Sequence, residues 1–415
     1  MAVTNNLTAV QWRSGDWLTG KRVRAYAAIL LVIELAVFSF LVAGTHGWIV
    51  PLDKPNTTDF VSFYAAGMLA DAGTPALAYD QAAHLAAEEA VVGKGIEYQY
   101  FNYPPVYQAL FAPIAYLPYL AAFVLFEIIT LLMFLAVARR VLDDYSSTAL
   151  LALMAFPMVW WNIGLGQNAF LTAALFGGAT LLIDRRPVLA GLCFGALCYK
   201  PHFALLVPLA LVAGRYWRTF AAAAVTAAVL LLASLALLGP DTWRAFLATA
   251  GASHSVYESG RILFGGFVNP FGAMRLLGAG TPVAYAVQAI FSAVAATLVA
   301  IVWYRRASLA ARAAVLASAT LVAVPLSLLY DLMLGAVAGC WLLRGQGRDT
   351  APWEKTVLAI IYVGLIDSRA LAEQATVPVN TIAALALLVL ATRRAFGELG
   401  WVRLSREPVA ASPTT

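Results

Sequence analysis

The sequence predicts an all-α polytopic membrane protein with about twelve transmembrane helices and external interfacial helices. Three observations carry this. Hydrophobic residues make up 62% of the chain and charged residues 12%, about half the charge of an ordinary soluble domain. The apolar residues fall in successive runs with no long polar block between them, which leaves one membrane domain and no independent soluble one. The Lys and Arg residues gather in short clusters at the ends of those runs, so the net charge of +5 sets orientation and points to no nucleic-acid partner.

The first apolar run, at 25–44, is about 20 residues long, a full span rather than a signal-peptide core. Arg13, Lys21, Arg22 and Arg24 precede it. The positive-inside rule therefore puts residues 1–24 in the cytoplasm and the loop at 45–105 outside. That loop reads DFVSFYAAGMLADAGTPALAYD and then YQYFNYPP. Its segments 60–70 and 76–92 are helix-like and partly amphipathic, suited to the interface, and Gly73, Thr74 and Pro75 separate them.

After Tyr103, Pro104 and Pro105 a short apolar stretch to Pro118 is re-entrant or interfacial, and a span follows that ends at Arg139 and Arg140. Further apolar segments lie at 147–161, 168–184, 187–199, 202–214, 218–239, 282–304, 310–327, 330–344, 355–369 and 378–394. Alternate ends carry Arg185/Arg186, Arg215/Arg218, Arg305/Arg306, Arg344/Arg348/Lys355 and Arg393/Arg394, all assigned to the cytoplasm. The transmembrane domain thus runs over 25–395, with a second external loop at 240–281 and a cytoplasmic tail at 396–415. Short loops suggest a multi-pass protein of the bacterial inner (plasma) membrane. Cys193, Cys198 and Cys340 lie inside apolar runs and read as small buried hydrophobes.

With this topology the polar residues collect on the external side. Asp59 is the leading catalytic candidate, because a carboxylate about a turn beyond a first span stands where an aqueous cavity meets lipid; a helix N-cap is the alternative use of the same residue. Asn162 and the Gly166-Gln167-Asn168 turn offer amide donors and acceptors to a sugar or phosphate. Lys200-Pro201-His202 interrupts an apolar stretch, where a cation needs a cavity, a partner such as a lipid phosphate, or room to snorkel. Tyr330-Asp331 opens another apolar run, as site residues or as a cap. The loop at 240–281 holds His254, Arg261 and Asn269 and can close over a cavity as a lid or lie as an interfacial helix. There is no Walker A sequence, no zinc-spaced Cys/His cluster and no Gly-x-Ser-x-Gly elbow.

In this order the motifs resemble glycosyltransferase family 87, polytopic GT-C enzymes related to polyprenyl-phosphate-mannose-dependent α-mannosyltransferases. The resemblance rests on Asp59-Phe60 with Tyr64-Ala65-Ala66, Gly73 and Tyr79-Asp80, then Tyr103-Pro104-Pro105 with Pro113 and Leu117-Pro118, then Asn162 with Gly166-Gln167-Asn168, Gly191 through Lys200-Pro201, and Tyr330-Asp331. Asn269-Pro270-Phe271 departs from the family pattern.

The resemblance implies a GT-C-like fold, a polyprenyl-phosphate-sugar donor, a lipid or glycan acceptor, and Asp59 as general base. Lys200, with His202 or Arg261, would hold the donor phosphate. Tyr64, Tyr103, Asn162, Gln167, Asn168, His254, Asn269, Tyr330 and Asp331 would line the sugar and acceptor. Cationic side chains suffice for a monophosphate, so no metal or other cofactor is expected. A lipid-linked sugar flippase or secondary transporter is the rival class, which expects polar groups spread toward both sides of the membrane.

Overall fold

The computed structural model describes residues 11–43, 58–258, 260, 262–344 and 351–402. It is all-helical, 77% helix with no strand among the described residues. The helices are α1 (Gly20–Ala43), α2 (Phe60–Asp71), α3 (Gln81–Val92), α4 (Pro105–Phe111), α5 (Tyr119–Leu142), α6 (Ser147–Met154), α7 (Pro157–Leu165), α8 (Ala169–Leu182) and α9 (Pro187–Ala196). There follow α10 (Val207–Ala213), α11 (Trp217–Glu258), α12 (Pro270–Leu276), α13 (Thr281–Tyr304), α14 (Leu309–Ala323), α15 (Met333–Leu343), α16 (Glu354–Gly364), α17 (Ser368–Ala375) and α18 (Val379–Glu398).

Five of these helices are long and apolar enough to cross a membrane, within α1, α5, α11, α13 and α18; α6 and α7, bent by 51° at their junction, make a sixth if taken as one span. Their outer faces carry bare apolar side chains, with Leu132 59%, Leu232 63%, Leu237 74% and Ile290 63% exposed. Surface of this extent and composition calls for lipid. The protein is therefore membrane-embedded. Six apolar helices of 10–17 residues stand among the long ones, and α14 and α15 are buried almost throughout.

The first external loop forms α2 and α3 where helix-like segments are expected, with a short 3-10 turn at Pro75–Tyr79 between them. Residues 44–57 of that loop lie outside the described residues. The apolar stretch before Pro118 forms α4 and crosses nothing. Gln108 on α4 donates to the carbonyls of Ala66 (3.1 Å) and Pro75 (2.9 Å), so it joins α4 to α2 and the 3-10 turn.

The segment 240–281 is more helical than a lid loop. Gly239, at φ 78°, and Pro240 break α11, which then continues helically to Glu258. Proline at the start of the second half removes a donor that the break has already freed.

Close packing needs small residues on one face of α9. A Cβ at Gly191 would stand 2.7 Å from the Thr219 carbonyl oxygen and 2.4 Å from the Ala222 Cβ, and one at Gly195 would stand 2.5 Å from the Ala223 carbonyl oxygen. These two glycines, four residues apart, let α9 and α11 approach as small-xxx-small helix pairs do in lipid. Gly195→Leu is expected to destabilise the protein by about 1–3 kcal/mol through overpacking, read as a lower unfolding temperature in detergent. An unchanged melting curve would refute this contact.

Candidate active site

Asp59 stands at the mouth of α2. Its backbone N–H donates to the Leu165 carbonyl at 2.8 Å, which ties it to the end of α7. Its side chain makes no cap bond to α2; instead Oδ2 accepts from Gln167 Nε2 at 2.5 Å. Burial pushes its pKa above the ordinary 3.8, while the Gln167 bond and the Arg369 charge pull it back down. The result is a half-buried carboxyl with one oxygen fixed and Oδ1 unbonded among the described residues.

The Gly166-Gln167-Asn168 turn that delivers Gln167 links α7 to α8. Gly166 adopts φ +64°, and a Cβ there would lie 2.7 Å from the Phe60 Cβ, so glycine is required twice over. Asn162 grips this turn from inside: Nδ2 donates to the Gln167 carbonyl at 2.8 Å and to Glu127 Oε2 at 3.1 Å, and Oδ1 accepts from Ala169 N at 3.0 Å. Tyr103 completes the first ring, its hydroxyl donating to Gln167 Oε1 at 3.3 Å.

Next to it lies an ion pair. Lys200 is 3% exposed, so it does not snorkel. Its Nζ meets Asp331 Oδ1 at 2.6 Å and donates to Asn168 Oδ1 at 3.3 Å. It also stands over the rings of Phe203 and Tyr330, at 4.7 and 5.3 Å. Asp331 caps as well as pairs, since Oδ2 accepts from Leu328 N at 2.9 Å.

Of the residues singled out from sequence, Asp59, Tyr103, Asn162, Gln167, Asn168, Lys200, Tyr330 and Asp331 thus form one connected cluster. His202 follows Lys200 by two residues with its ring against Phe203. Two are engaged elsewhere. The Tyr64 hydroxyl donates to the Leu117 carbonyl at 2.8 Å. Asn269 caps α12, its Oδ1 accepting from Gly272 N at 2.9 Å and its Nδ2 donating to the Ser327 carbonyl at 3.2 Å. Arg261 and the side chain of His254 lie outside the described residues.

Sequence reasoning passed over several partners. Glu127 is a lone carboxylate within an apolar helix, a signal that was available. Arg369 on α17 lies over the Trp161 ring at 6.0 Å, and its 368–375 segment gave no hint of proximity to Asp59. Tyr107 and Tyr199 stack with centroids 5.1 Å apart, and the Tyr199 hydroxyl lies 2.6 Å from Thr172 Oγ1. His84 and Glu88, four residues apart on α3, are wholly buried with Nδ1 and Oε1 3.5 Å apart, and His84 Nε2 lies 3.1 Å from the Ser62 carbonyl of α2.

A family model of glycosyltransferase family 87 matches residues 101–330, more than half of the chain. The chain belongs to glycosyltransferase family 87. Membership makes glycosyl transfer, rather than flipping or secondary transport, the class of activity. The matched stretch contains Tyr103, Asn162, Gln167, Asn168, Lys200 and Tyr330, and it ends one residue before Asp331; Asp59 precedes it and meets it through Gln167. No curated protein and no solved structure matches this family 87 chain.

The pair under α2 gives a stability prediction. Burial holds His84 down from 6.5 to about 4 and lifts Glu88 from 4.5 to about 8, so both are neutral at pH 7. His84 binds fewer protons folded than unfolded between pH 4 and 6.5, so its contribution to stability falls as pH drops through that window. Glu88 binds more protons folded between 4.5 and 8, so its contribution falls as pH rises. The two slopes oppose each other where the windows overlap, and only the Glu88 decline remains above 6.5. Melting temperatures of wild type are expected to fall between pH 6.5 and 8 by more than those of Glu88→Gln, and equal slopes would overturn this assignment.

Proposed function

We propose that this family 87 glycosyltransferase moves a sugar, most simply mannose, from a polyprenyl-phosphate donor to a hydroxyl of a lipid or glycan acceptor. Transfer takes place at the external face of the bacterial inner membrane, with Asp59 as general base. The observation that carries the reading is the state of Asp59. Its side chain is spared from capping α2, one oxygen is held by Gln167, and the other is unbonded among the described residues.

A polyprenyl phosphate leaves readily, so the enzyme has to orient the acceptor, remove its proton and steady the departing charge. In this mechanism Asp59 Oδ1 accepts the hydroxyl proton as the acceptor oxygen attacks the anomeric carbon and the bond to phosphate oxygen breaks. A single displacement inverts that carbon, so a β-linked donor yields an α-linked product. Burial raises the Asp59 pKa, which makes it a stronger base than an exposed carboxylate. Lys200 would lend its charge to the donor phosphate, with Asp331 holding the ammonium in place between turnovers, and Arg369 is a further cation within electrostatic reach of Asp59. Tyr103, Asn168 and Tyr330 would contact the sugar or the acceptor.

The ends of the elements support this orientation. Arg344 Nη1 donates to the carbonyls of Arg140 and Val141, both at 2.7 Å, and Arg394 Nη1 lies 3.5 Å from Glu354 Oε1, so the basic helix ends share one side. Gln167 precedes α8 and Asp331 precedes α15, at the ends opposite to their basic ones, and Asp59 joins them through Gln167. The positive-inside rule then puts the basic side in the cytoplasm and the site outside. About twelve crossings remain the proposal, the five or six long apolar spans being supplemented by short apolar helices.

Asp59→Asn is expected to lower transfer from radiolabelled polyprenyl-phosphate-mannose to membrane lipid acceptors at least about a thousandfold, with the melting temperature kept. Retained turnover would reject Asp59 as the base. In the wild type, kcat/KM should rise with pH through a midpoint above 3.8.

Lys200→Ala is expected to raise the donor KM about tenfold while acceptor KM stays near wild type. An unchanged donor KM would assign Lys200 to the ion pair alone.

A further inference from the structure

Glu127 is 4% exposed in the apolar body of α5. A carboxyl there is expensive unless it has a partner, and its partner is an amide. Glu127 Oε2 accepts from Asn162 Nδ2, and that same nitrogen donates to the Gln167 carbonyl. The other end of the amide, Oδ1, accepts from Ala169 N at the start of α8. An amide has two chemically different ends, so its rotation by half a turn would set oxygen against oxygen at the Gln167 carbonyl and nitrogen against N–H at Ala169. A carboxyl on the Nδ2 side favours the orientation that grips the turn.

From there the chain continues to the reacting group. Gln167 has its carbonyl oxygen on Asn162, its side-chain oxygen on Tyr103 and its side-chain nitrogen on Asp59. We infer that Glu127 is a positioning residue for glycosyl transfer: through Asn162 it sets the Gln167 amide, which holds one oxygen of Asp59 and leaves the other facing the acceptor hydroxyl. Its bearing on turnover rests on Asp59 being the general base, whereas the bonded chain from Glu127 to Asp59 does not. The His84–Glu88 pair, equally buried, meets the Ser62 carbonyl of α2 and the Gln99 N–H, and no hydrogen bond joins it to the Asp59 carboxyl among the described residues.

The test reads Asp59 directly. In purified protein the carboxyl is titrated by infrared difference spectroscopy, its band assigned by its loss in Asp59→Asn. The Gln167 bond favours the ionised form, so Glu127→Leu should move the midpoint up by about one pH unit. Glu127→Gln, which keeps an acceptor for Asn162, should leave it in place. Gln167→Ala should move it up as Glu127→Leu does, and combining the two should add nothing, as expected of residues acting through one link.

An unmoved midpoint in folded Glu127→Leu, or a further shift in the double variant, would overturn the proposal. If Glu127→Leu does not fold, Asn162→Ala cuts the same chain one link on and must give the same shift. With a polyprenyl-phosphate-mannose donor, Glu127→Leu should lower kcat about tenfold with donor KM kept, the mark of an interaction made in the transition state. The titration needs no turnover. A wild type silent toward this donor would therefore tell against the proposed substrate, while the titration still decides for or against the chain.

Discussion

The structure depends on one constraint. A polar side chain turned inward from a lipid-facing helix has no water to bond, so it must meet a partner carried by another helix. Glu127 on α5 meets Asn162 on α7, Lys200 beyond α9 meets Asp331 before α15, and Gln167 in the turn between α7 and α8 meets Asp59 before α2. Each bond spans elements far apart in sequence and fixes where their ends stand. The apolar helices pack by shape and tolerate sliding; these few pairs do not.

The same economy makes the site. In the proposed site a paired Lys200 keeps its charge beside Asn168 without leaving a bare cation in the protein interior, since breaking such a pair leaves an uncompensated charge. Around Asp59 the aromatic side chains of α2 and α4 form a dense wall: Phe60 and Phe63 both lie against Phe111, with centroids 5.5 Å apart in each contact. Burial is the source of the raised proton affinity of the Asp59 carboxyl. In the proposed mechanism the reactivity of Asp59 rests on the cost of burying its charge, offset by Gln167 and Arg369.

Much of this was legible in the sequence. The spans at 25–44, 282–304 and 378–394 announce themselves by length and composition, and α1, α13 and α18 lie there. Asp59, Asn162, Gln167, Asn168, Lys200 and Asp331 stand out because polar residues are rare against such a background. What the sequence left open was the use of each. Asp59 and Asp331 had the same two uses open, cap or site residue: in the fold Asp331 bonds the Leu328 N–H and also pairs with Lys200, and Asp59 does not cap. Asn269 stands out in the sequence as a site residue, and in the fold its Oδ1 caps α12 through the Gly272 N–H while its Nδ2 donates to the Ser327 carbonyl.

By itself the sequence determined that the chain enters a membrane, where its basic ends gather and which polar residues interrupt the apolar runs, because hydropathy and charge are sums over local residues. The tertiary structure alone decided which carboxylate is paired with Lys200, which meets the Asn162 amide and which is held by Gln167. Those outcomes turn on distances of about 3 Å between residues 32 to 131 positions apart. No local pattern encodes such a distance, since a hydrogen bond requires both partners in place at once.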